Sequence, residues 1–182
     1  ASPKSRWANY LTVGESFYLN YPEAVGMGSI LFSTGAQING LHFIGIETGY
    51  TRRQSGSSEE AYSMMFPIGI AYKVKFSDRR FSPFAGLSVL YLAFPSDGVL
   101  ATGLARPSIG VNFRTKRSIE FQLCATYDFT IEKPDVYVND GVMMMHHGLG
   151  ISLGMSFWGS SKGDTFKEDY YKPKKNARFR TF

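Results

Sequence analysis

Three histidines, His42, His146 and His147, are the residues of this sequence most suited to act as bases or metal ligands. His146 and His147 are adjacent within an alternating segment, so they point to opposite faces of a strand, and His42 follows a distant Asn-Gly pair. Three ligands on one metal are therefore not expected. The sequence has no Gly-rich phosphate loop, zinc-type Cys/His spacing or nucleophile elbow. We predict no catalytic residue, no metal and no cofactor.

The remaining candidates for chemistry are charged side chains that alternate with apolar ones. In the segment "SIEFQLCATYDFTI", at positions 118–131, the odd positions are apolar and the even positions include Glu120, Gln122 and Asp128. This alternation predicts a strand with one apolar and one polar face. The segment is longer than the ~5–6 residues of most soluble strands and exceeds the ~9–11 residues that cross a bilayer.

The same pattern recurs along the chain and predicts an all-β fold with eight strands. The predicted strands are 7–19, 26–38, 41–52, 62–76, 81–94, 101–113, 118–131 and 146–157. The pattern is weakest in 81–94, where both faces are apolar, and in 7–19, where Glu15 falls among the outward positions. A β-bulge could restore the alternation in either strand.

The connections between the predicted strands alternate in length. Those after strands one, three, five and seven are "NYPEAVG", "RRQSGSSEE", "PSDGV" and "EKPDVYVNDG", whereas the others are "NG", "SDRR" and "TK". Asn39-Gly40 is a strong hairpin signal, because both positions favour positive φ. Long loops at one end and short turns at the other indicate an antiparallel up-and-down transmembrane β-barrel at 1–158. No apolar run reaches the ~20 residues of a membrane helix.

Strand count, loop alternation and the segment "SPFAGLSV" resemble the small eight-stranded outer-membrane barrels of the OmpA and OmpX type over residues 7–158. The resemblance implies an integral bacterial outer-membrane protein with extracellular long loops and periplasmic short turns. Its surroundings would be outer-membrane lipid and lipopolysaccharide. Such barrels mostly end at an aromatic residue of the last strand, whereas here 24 residues follow Trp158. That departure makes 159–182 a separate, basic periplasmic tail.

Some relatives in that group modify lipid A, which leaves an enzyme as an alternative. Their deacylase pattern places a catalytic His and Ser two residues apart on one strand face. In this chain the corresponding positions after His146 and His147 are Gly148 and Leu149, so the pattern fails. A soluble lipocalin-like ligand-binding barrel is a further alternative, and it would place the apolar face inside.

If the apolar face contacts lipid, the charged residues point into the lumen. An eight-stranded lumen is nearly filled by side chains, so we expect these residues to pair and to form a plug rather than a conducting pore. The predicted polar network contains Glu47, Lys73, Lys75, Arg106, Arg114, Glu120, Gln122 and Asp128. Aromatic residues near strand ends are expected to form interfacial girdles; they are Tyr50, Tyr62, Tyr72, Phe76, Phe113, Phe157 and Trp158.

The two ends of the predicted barrel differ in the sign of their charged residues. The long loops hold the acidic residues Glu23, Glu59, Glu60, Asp97, Glu132, Asp135 and Asp140, whereas Arg79, Arg80, Lys116 and Arg117 lie in the short turns. The tail carries +4 of the chain's net charge of +5. A basic segment with aromatics is compatible with nucleic acid, but a periplasmic tail would not meet it.

The tail is interpreted either as a solvated extension or as a peptide that docks on other outer-membrane or periplasmic proteins. The candidate docking residues are Tyr170, Tyr171, Lys172, Lys174, Lys175, Arg178, Phe179, Arg180 and Phe182. The sequence thus predicts a non-enzymatic outer-membrane barrel that acts as an accessory or anchoring subunit of a larger assembly.

Overall fold

The computed structural model describes residues 5–19, 25–54, 62–77, 79–93, 99–115, 119–134 and 143–158. Each strand pairs antiparallel with the next, and β1 pairs with β8, so the sheet closes into an up-and-down barrel. The predicted fold is therefore confirmed. Within the described residues no helix has the length and apolarity that a membrane crossing requires. The strands are β1 (Ser5–Tyr18), β2 (Val25–Ile38), β3 (His42–Gln54), β4 (Tyr62–Lys75), β5 (Phe81–Ala93), β6 (Val99–Arg114), β7 (Ile119–Pro134) and β8 (Met144–Trp158).

Alternation in the sequence becomes an outer and an inner wall in the barrel. On β7, Phe121 and Leu123 are each 50% exposed, whereas their neighbours Glu120 and Gln122 are buried. On β8, Ile151 reaches 68% exposure and Ser152 beside it is 5% exposed. Because successive side chains leave a strand on opposite faces, this pattern places the large apolar residues outside the barrel.

The two ends of the barrel differ in their connections. We call the end where β1, β3, β5 and β7 finish the long-loop end, and the opposite end the short-turn end. At the short-turn end, Ile38 and His42 close the first described turn, and the Leu41 N–H donates to the Ile38 carbonyl oxygen at 3.1 Å. Asn39 and Gly40 have φ values of 52° and 72°. Both positions are left-handed, as the Asn-Gly pair predicted.

The first and fifth strands contain no bulge that would restore the alternation. Neither β1 nor β5 shows a register shift against its neighbours, and the irregularity lies on β6 between Val99 and Ala101. Glu15 is simply exposed on the outer wall. The inner face of β5 is apolar towards the long-loop end, where Leu90 and Leu92 join an apolar cluster.

An apolar layer, which the predicted polar network did not include, fills the lumen towards the long-loop end. The sequence could not assign the inward residues of β5 to this layer. Alternation along one strand does not reveal which side chains the opposite strands place at the same height in the lumen. The apolar layer consists of Tyr18, Met27, Leu31, Met65, Leu90, Leu92 and Leu104. The lumen is therefore stratified, with ionic groups below this layer and a smaller ionic group beside it.

Candidate functional site

The first ionic group, the Glu120 cluster, lies in the lumen near the short-turn end and contains Glu120, Lys75, Arg114 and Ser156. Lys75 Nζ donates to both Glu120 carboxylate oxygens at 2.9 and 3.0 Å. Arg114, opposite Glu120 in the β6–β7 register, places Nε at 3.0 Å and Nη2 at 2.9 Å from Oε1. Ser156 Oγ donates to Oε2 at 3.4 Å. A single carboxylate, 1% exposed, thus faces two cations.

The second ionic group, the Arg106 cluster, joins Arg106, Asp128 and Ser29 in the middle of the lumen. Arg106 Nε and Nη2 donate to the two Asp128 carboxylate oxygens at 2.6 and 2.8 Å, and Nη1 donates to Ser29 Oγ at 3.2 Å. Asp128 is 0% exposed and Arg106 is 7% exposed. This bidentate geometry is the strongest form of a carboxylate–guanidinium interaction. This pair joins the neighbouring strands β6 and β7, whereas the Ser29 contact reaches across the lumen to β2.

Glu47 and Lys73 lie between these two clusters. Ser33 Oγ donates to Glu47 Oε2 at 2.5 Å, while Glu47 Oε1 is buried with no hydrogen-bond partner among the described residues. Lys73 Nζ lies 3.4 Å from Gln122 Oε1 and 4.1 Å from the centre of the Tyr10 ring. A cavity of ≈ 30 Å³ separates these groups. That space accommodates about one or two water molecules, which would satisfy the Glu47 oxygen.

Sequence reasoning missed a third group, the Glu132 cluster of Glu132, Arg53 and His146. Assigning Glu132 to an outer loop was wrong, because β7 extends to Pro134 and carries Glu132 inside the barrel at 2% exposure. Arg53 Nη1 contacts Glu132 Oε1, and His146 Nε2 lies 3.7 Å from Oε2. The signal was available, since Glu132 has the same strand parity as Glu120 and Asp128.

The eight residues of the predicted network all lie on the inner wall, but they divide among separate clusters. Glu120 and Arg114 share one cluster, Arg106 and Asp128 share another, and Lys73 contacts Gln122. Lys75, also expected inside, joins the Glu120 cluster. The candidate docking residues of the tail, 170–182, lie outside the described residues.

Most of the predicted aromatic girdle lies on the outer wall. Tyr50 is partly exposed, and the side chains of Tyr62 and Trp158 lie outside the described residues. The outward members with the largest exposure are Phe76 at 66%, Tyr72 at 43%, Phe113 at 42% and Phe157 at 40%. Tyr72 on β4 and Phe76, the residue after that strand, mark the short-turn end of this wall.

The histidines do not converge on one centre. His42 lies on the outer wall at the short-turn end, where Nδ1 is 2.8 Å from the Tyr72 hydroxyl. His146 lies in the lumen near the long-loop end. Among the described residues no three or more His, Cys, Asp or Glu side chains form a group able to hold a metal ion. The arrangement in the lumen neutralises buried charge and fills space.

Comparisons with known proteins support this architecture. No family model and no curated protein sequence matches the chain. The crystal structure of Neisserial surface protein A superposes with a TM-score of 0.61 at 12% identity, covering 86% of this chain and 99% of that one. The N-terminal β-barrel domain of Pseudomonas aeruginosa OprF scores 0.49 at 10% identity, covering 85% and 100%. A designed transmembrane β-barrel scores 0.41 at 12% identity, covering 86% and 97%. The superposition on Neisserial surface protein A shows that the chain shares the fold of small eight-stranded outer-membrane barrels.

Proposed function

We propose that this protein is an integral outer-membrane barrel that serves as an accessory or anchoring subunit of a larger assembly. The observation that carries the membrane location is the inversion of polarity across the wall. Ile70, Ile109 and Leu153 are each at least 63% exposed on different strands, while Asp128 and Glu120 are almost fully buried. A soluble ligand-binding barrel places its apolar residues inside, whereas a lipid-facing barrel needs them outside.

The proposed orientation has the long loops outside the cell and the short turns in the periplasm. Longer extracellular loops and shorter periplasmic turns are typical of bacterial outer-membrane barrels. Exposed Arg79 and Arg80 lie at the short-turn end, as the tail would after β8 finishes at Trp158. The tail would therefore extend into the periplasm, where its basic and aromatic residues meet soluble partners.

We further propose that the lumen is a structural plug. The Lys75–Glu120 ion pair and the Arg106–Ser29 hydrogen bond cross it, and the apolar layer closes it towards the long-loop end. The cavity among Lys73, Arg106 and Gln122 measures only ≈ 30 Å³. The lumen thus provides no continuous path for a solute of ordinary size.

The plug predicts that the purified full chain inserts into planar lipid bilayers without producing ion-channel steps. The physical reason is that charged side chains occupy the lumen instead of water. The measurement is single-channel current at 1 M salt, with a sixteen-stranded porin as the positive control. Regular conductance steps from the folded protein would contradict the plug.

The lumen also supports a non-enzymatic role. His146 and Glu132 could supply a base and an acid, but His146 is 9% exposed and faces the lumen rather than the lipid that a lipid A-modifying enzyme acts on. Replacing His146 and His147 with Ala is expected to leave cellular lipid A composition unchanged, as measured by mass spectrometry. Altered acylation in that strain would favour the enzyme instead.

The accessory role predicts partners that depend on residues 159–182. Seven basic and three acidic side chains in this segment, interspersed with aromatics, suit an acidic protein surface. Affinity isolation from mild-detergent extracts is expected to recover periplasmic or outer-membrane proteins with the full chain and none with a chain ending at Trp158. A matched control changes Lys172, Lys174, Lys175, Arg178 and Arg180 to Gln at constant length. Identical partners with all three chains would contradict docking through the tail.

A further inference from the structure

The outer wall carries a row of phenylalanines at the short-turn end, across three neighbouring strands. The strand registers place Phe81 of β5 opposite Phe113 of β6, and Phe113 opposite Phe121 of β7. The three side chains are 60%, 42% and 50% exposed, respectively. Two interstrand spacings make the row roughly 10 Å long. Phe81 begins β5 and only Arg114 follows Phe113 in β6, so the row lies where a lipid-facing wall meets the headgroups.

An arginine side chain lies over the middle of this row. The Arg80 guanidinium carbon is 4.8 Å from the centre of the Phe113 ring. The Arg80 backbone is held against β6, because the Arg114 N–H donates to the Arg80 carbonyl oxygen at 2.8 Å. A cation over the face of an aromatic ring is attracted to it. The turn before β5 thus directs the Arg80 side chain onto the lipid-facing wall of β6.

We call Arg79, Arg80 and the three phenylalanines the Arg80 rim, and its charge has no partner in the described part of the chain. Both arginines are exposed, and no described carboxylate pairs with either of them. The guanidinium N–H donors of Arg80 likewise meet no acceptor among the described residues. Asp78, the acidic residue of the same turn, lies outside the described residues. The described rim therefore combines two cations with an apolar surface.

We propose that the Arg80 rim binds the phosphate of one anionic phospholipid of the phosphatidylglycerol class. The phosphate would accept hydrogen bonds from Arg80, with Arg79 adding a second positive charge, and an acyl chain would lie along the phenylalanine row. Guanidinium groups match phosphate oxygens geometrically and also stack on aromatic rings. An ammonium-bearing headgroup matches the rim less well. Glu15 is the sole acidic residue at the outward positions of the described strands, and it lies near the long-loop end.

The place of the Arg80 rim agrees with the proposed orientation of the barrel. That orientation puts the short-turn end in the periplasm, whereas lipopolysaccharide occupies the opposite leaflet, so the lipid beside Arg80 is a phospholipid. An acidic soluble protein would match the arginines but not the three phenylalanines, which face hydrocarbon. The inference therefore rests on the proposed membrane location, and it does not require the tail to dock on a partner.

The test reconstitutes the full chain in nanodiscs of equal parts phosphatidylglycerol and phosphatidylethanolamine with identical acyl chains. The protein is then released into mild detergent, and the retained lipid is counted by native mass spectrometry. Arg80→Gln removes the cation over the ring, and Lys133→Gln makes the same change of net charge at an exposed position of β7 near the long-loop end. Phe113→Leu removes the ring, and Phe17→Leu is its control near the long-loop end, at a side chain that is 54% exposed.

The wild-type chain and both controls are expected to retain one phosphatidylglycerol molecule in preference to phosphatidylethanolamine. Arg80→Gln should lower this retention at least about tenfold, which corresponds to about 1.4 kcal/mol, because the phosphate loses a charge-assisted partner. Phe113→Leu should lower it roughly threefold, since Arg80 keeps its charge but loses the ring that positions it. Retention equal to that of the wild type is expected of the tail variant, which carries Gln at Lys172, Lys174, Lys175, Arg178 and Arg180.

Several outcomes would overturn the inference. Equal retention by Arg80→Gln and Lys133→Gln, or by Phe113→Leu and Phe17→Leu, would remove the rim as a lipid site, as would equal retention of both lipids by the wild type. Loss of retention in the tail variant alone would assign lipid binding to the tail. A wild-type chain that enters nanodiscs and retains no lipid would contradict the site but not the membrane location. Failure of the folded chain to enter nanodiscs would count against that location, and the lipid site would fall with it.

Discussion

Replacing Glu120 with Gln is expected to lower the free energy of unfolding by about 5 kcal/mol, the upper end of the range for breaking a buried ion pair. The substitution keeps the side-chain volume but removes the carboxylate that Lys75 and Arg114 share. Both cations are largely buried, so solvent would compensate only part of that loss. The protein is unfolded with urea in detergent micelles, and unfolding is detected by tryptophan fluorescence and by the mobility of the unheated protein in gels.

Two further variants define what causes the loss. Glu15→Gln is the matched control, because it removes a carboxylate from the outer wall and should change the stability by no more than about 0.5 kcal/mol. Adding Lys75→Met to Glu120→Gln should recover part of the stability, since one unpaired cation disappears. An unfolding curve of Glu120→Gln that coincides with the wild type would show that Glu120 makes no stabilising ion pair.

Replacing Asp128 with Ala is expected to destabilise the barrel by about 3–5 kcal/mol. Arg106 loses both carboxylate oxygens and retains the Ser29 hydroxyl at 3.2 Å, which is a weaker, neutral partner. The arginine is 7% exposed, so its charge remains largely out of water. The same unfolding experiment measures this loss.

The double variant Asp128→Ala with Arg106→Met separates ion pairing from packing. Removing both charges often costs little, because the desolvation penalty disappears together with the attraction. The double variant should therefore be more stable than Asp128→Ala alone, with a coupling free energy of at least about 1 kcal/mol. Additive losses would show that the two residues stabilise the barrel independently, contrary to their bidentate contact.

The sequence was sufficient to predict the closed eight-stranded barrel, because its fold depends mainly on local signals. The alternation around Phe121 and Leu123 determines which side of β7 faces outwards, and Asn39-Gly40 determines one hairpin. These signals are read from neighbouring residues. They also identified Glu120 and Asp128 as inward-facing before any pairing was known.

The partners of those inward residues could not be predicted in the same way. Lys75 on β4 reaches Glu120 on β7 across the lumen, and the two residues are 45 positions apart. Such a contact depends on strand tilt and register around the whole barrel rather than on any local pattern. Glu132 illustrates a different failure, because the nearby Pro134 and following turn-forming residues suggested a loop where the structure continues β7.

Closure of the sheet also restricts how a partner can attach. Residues Ala8 to Tyr18 of β1 are paired with β8, so along this stretch the described barrel offers no edge on which a partner peptide could add as a further strand. Recognition by β-augmentation is thereby excluded over these residues while the barrel is closed. A partner must instead recognise side chains on the wall, the connecting segments or the tail, or else separate β1 from β8. An assembly built on this subunit would therefore be held by side-chain complementarity rather than by a shared backbone ladder.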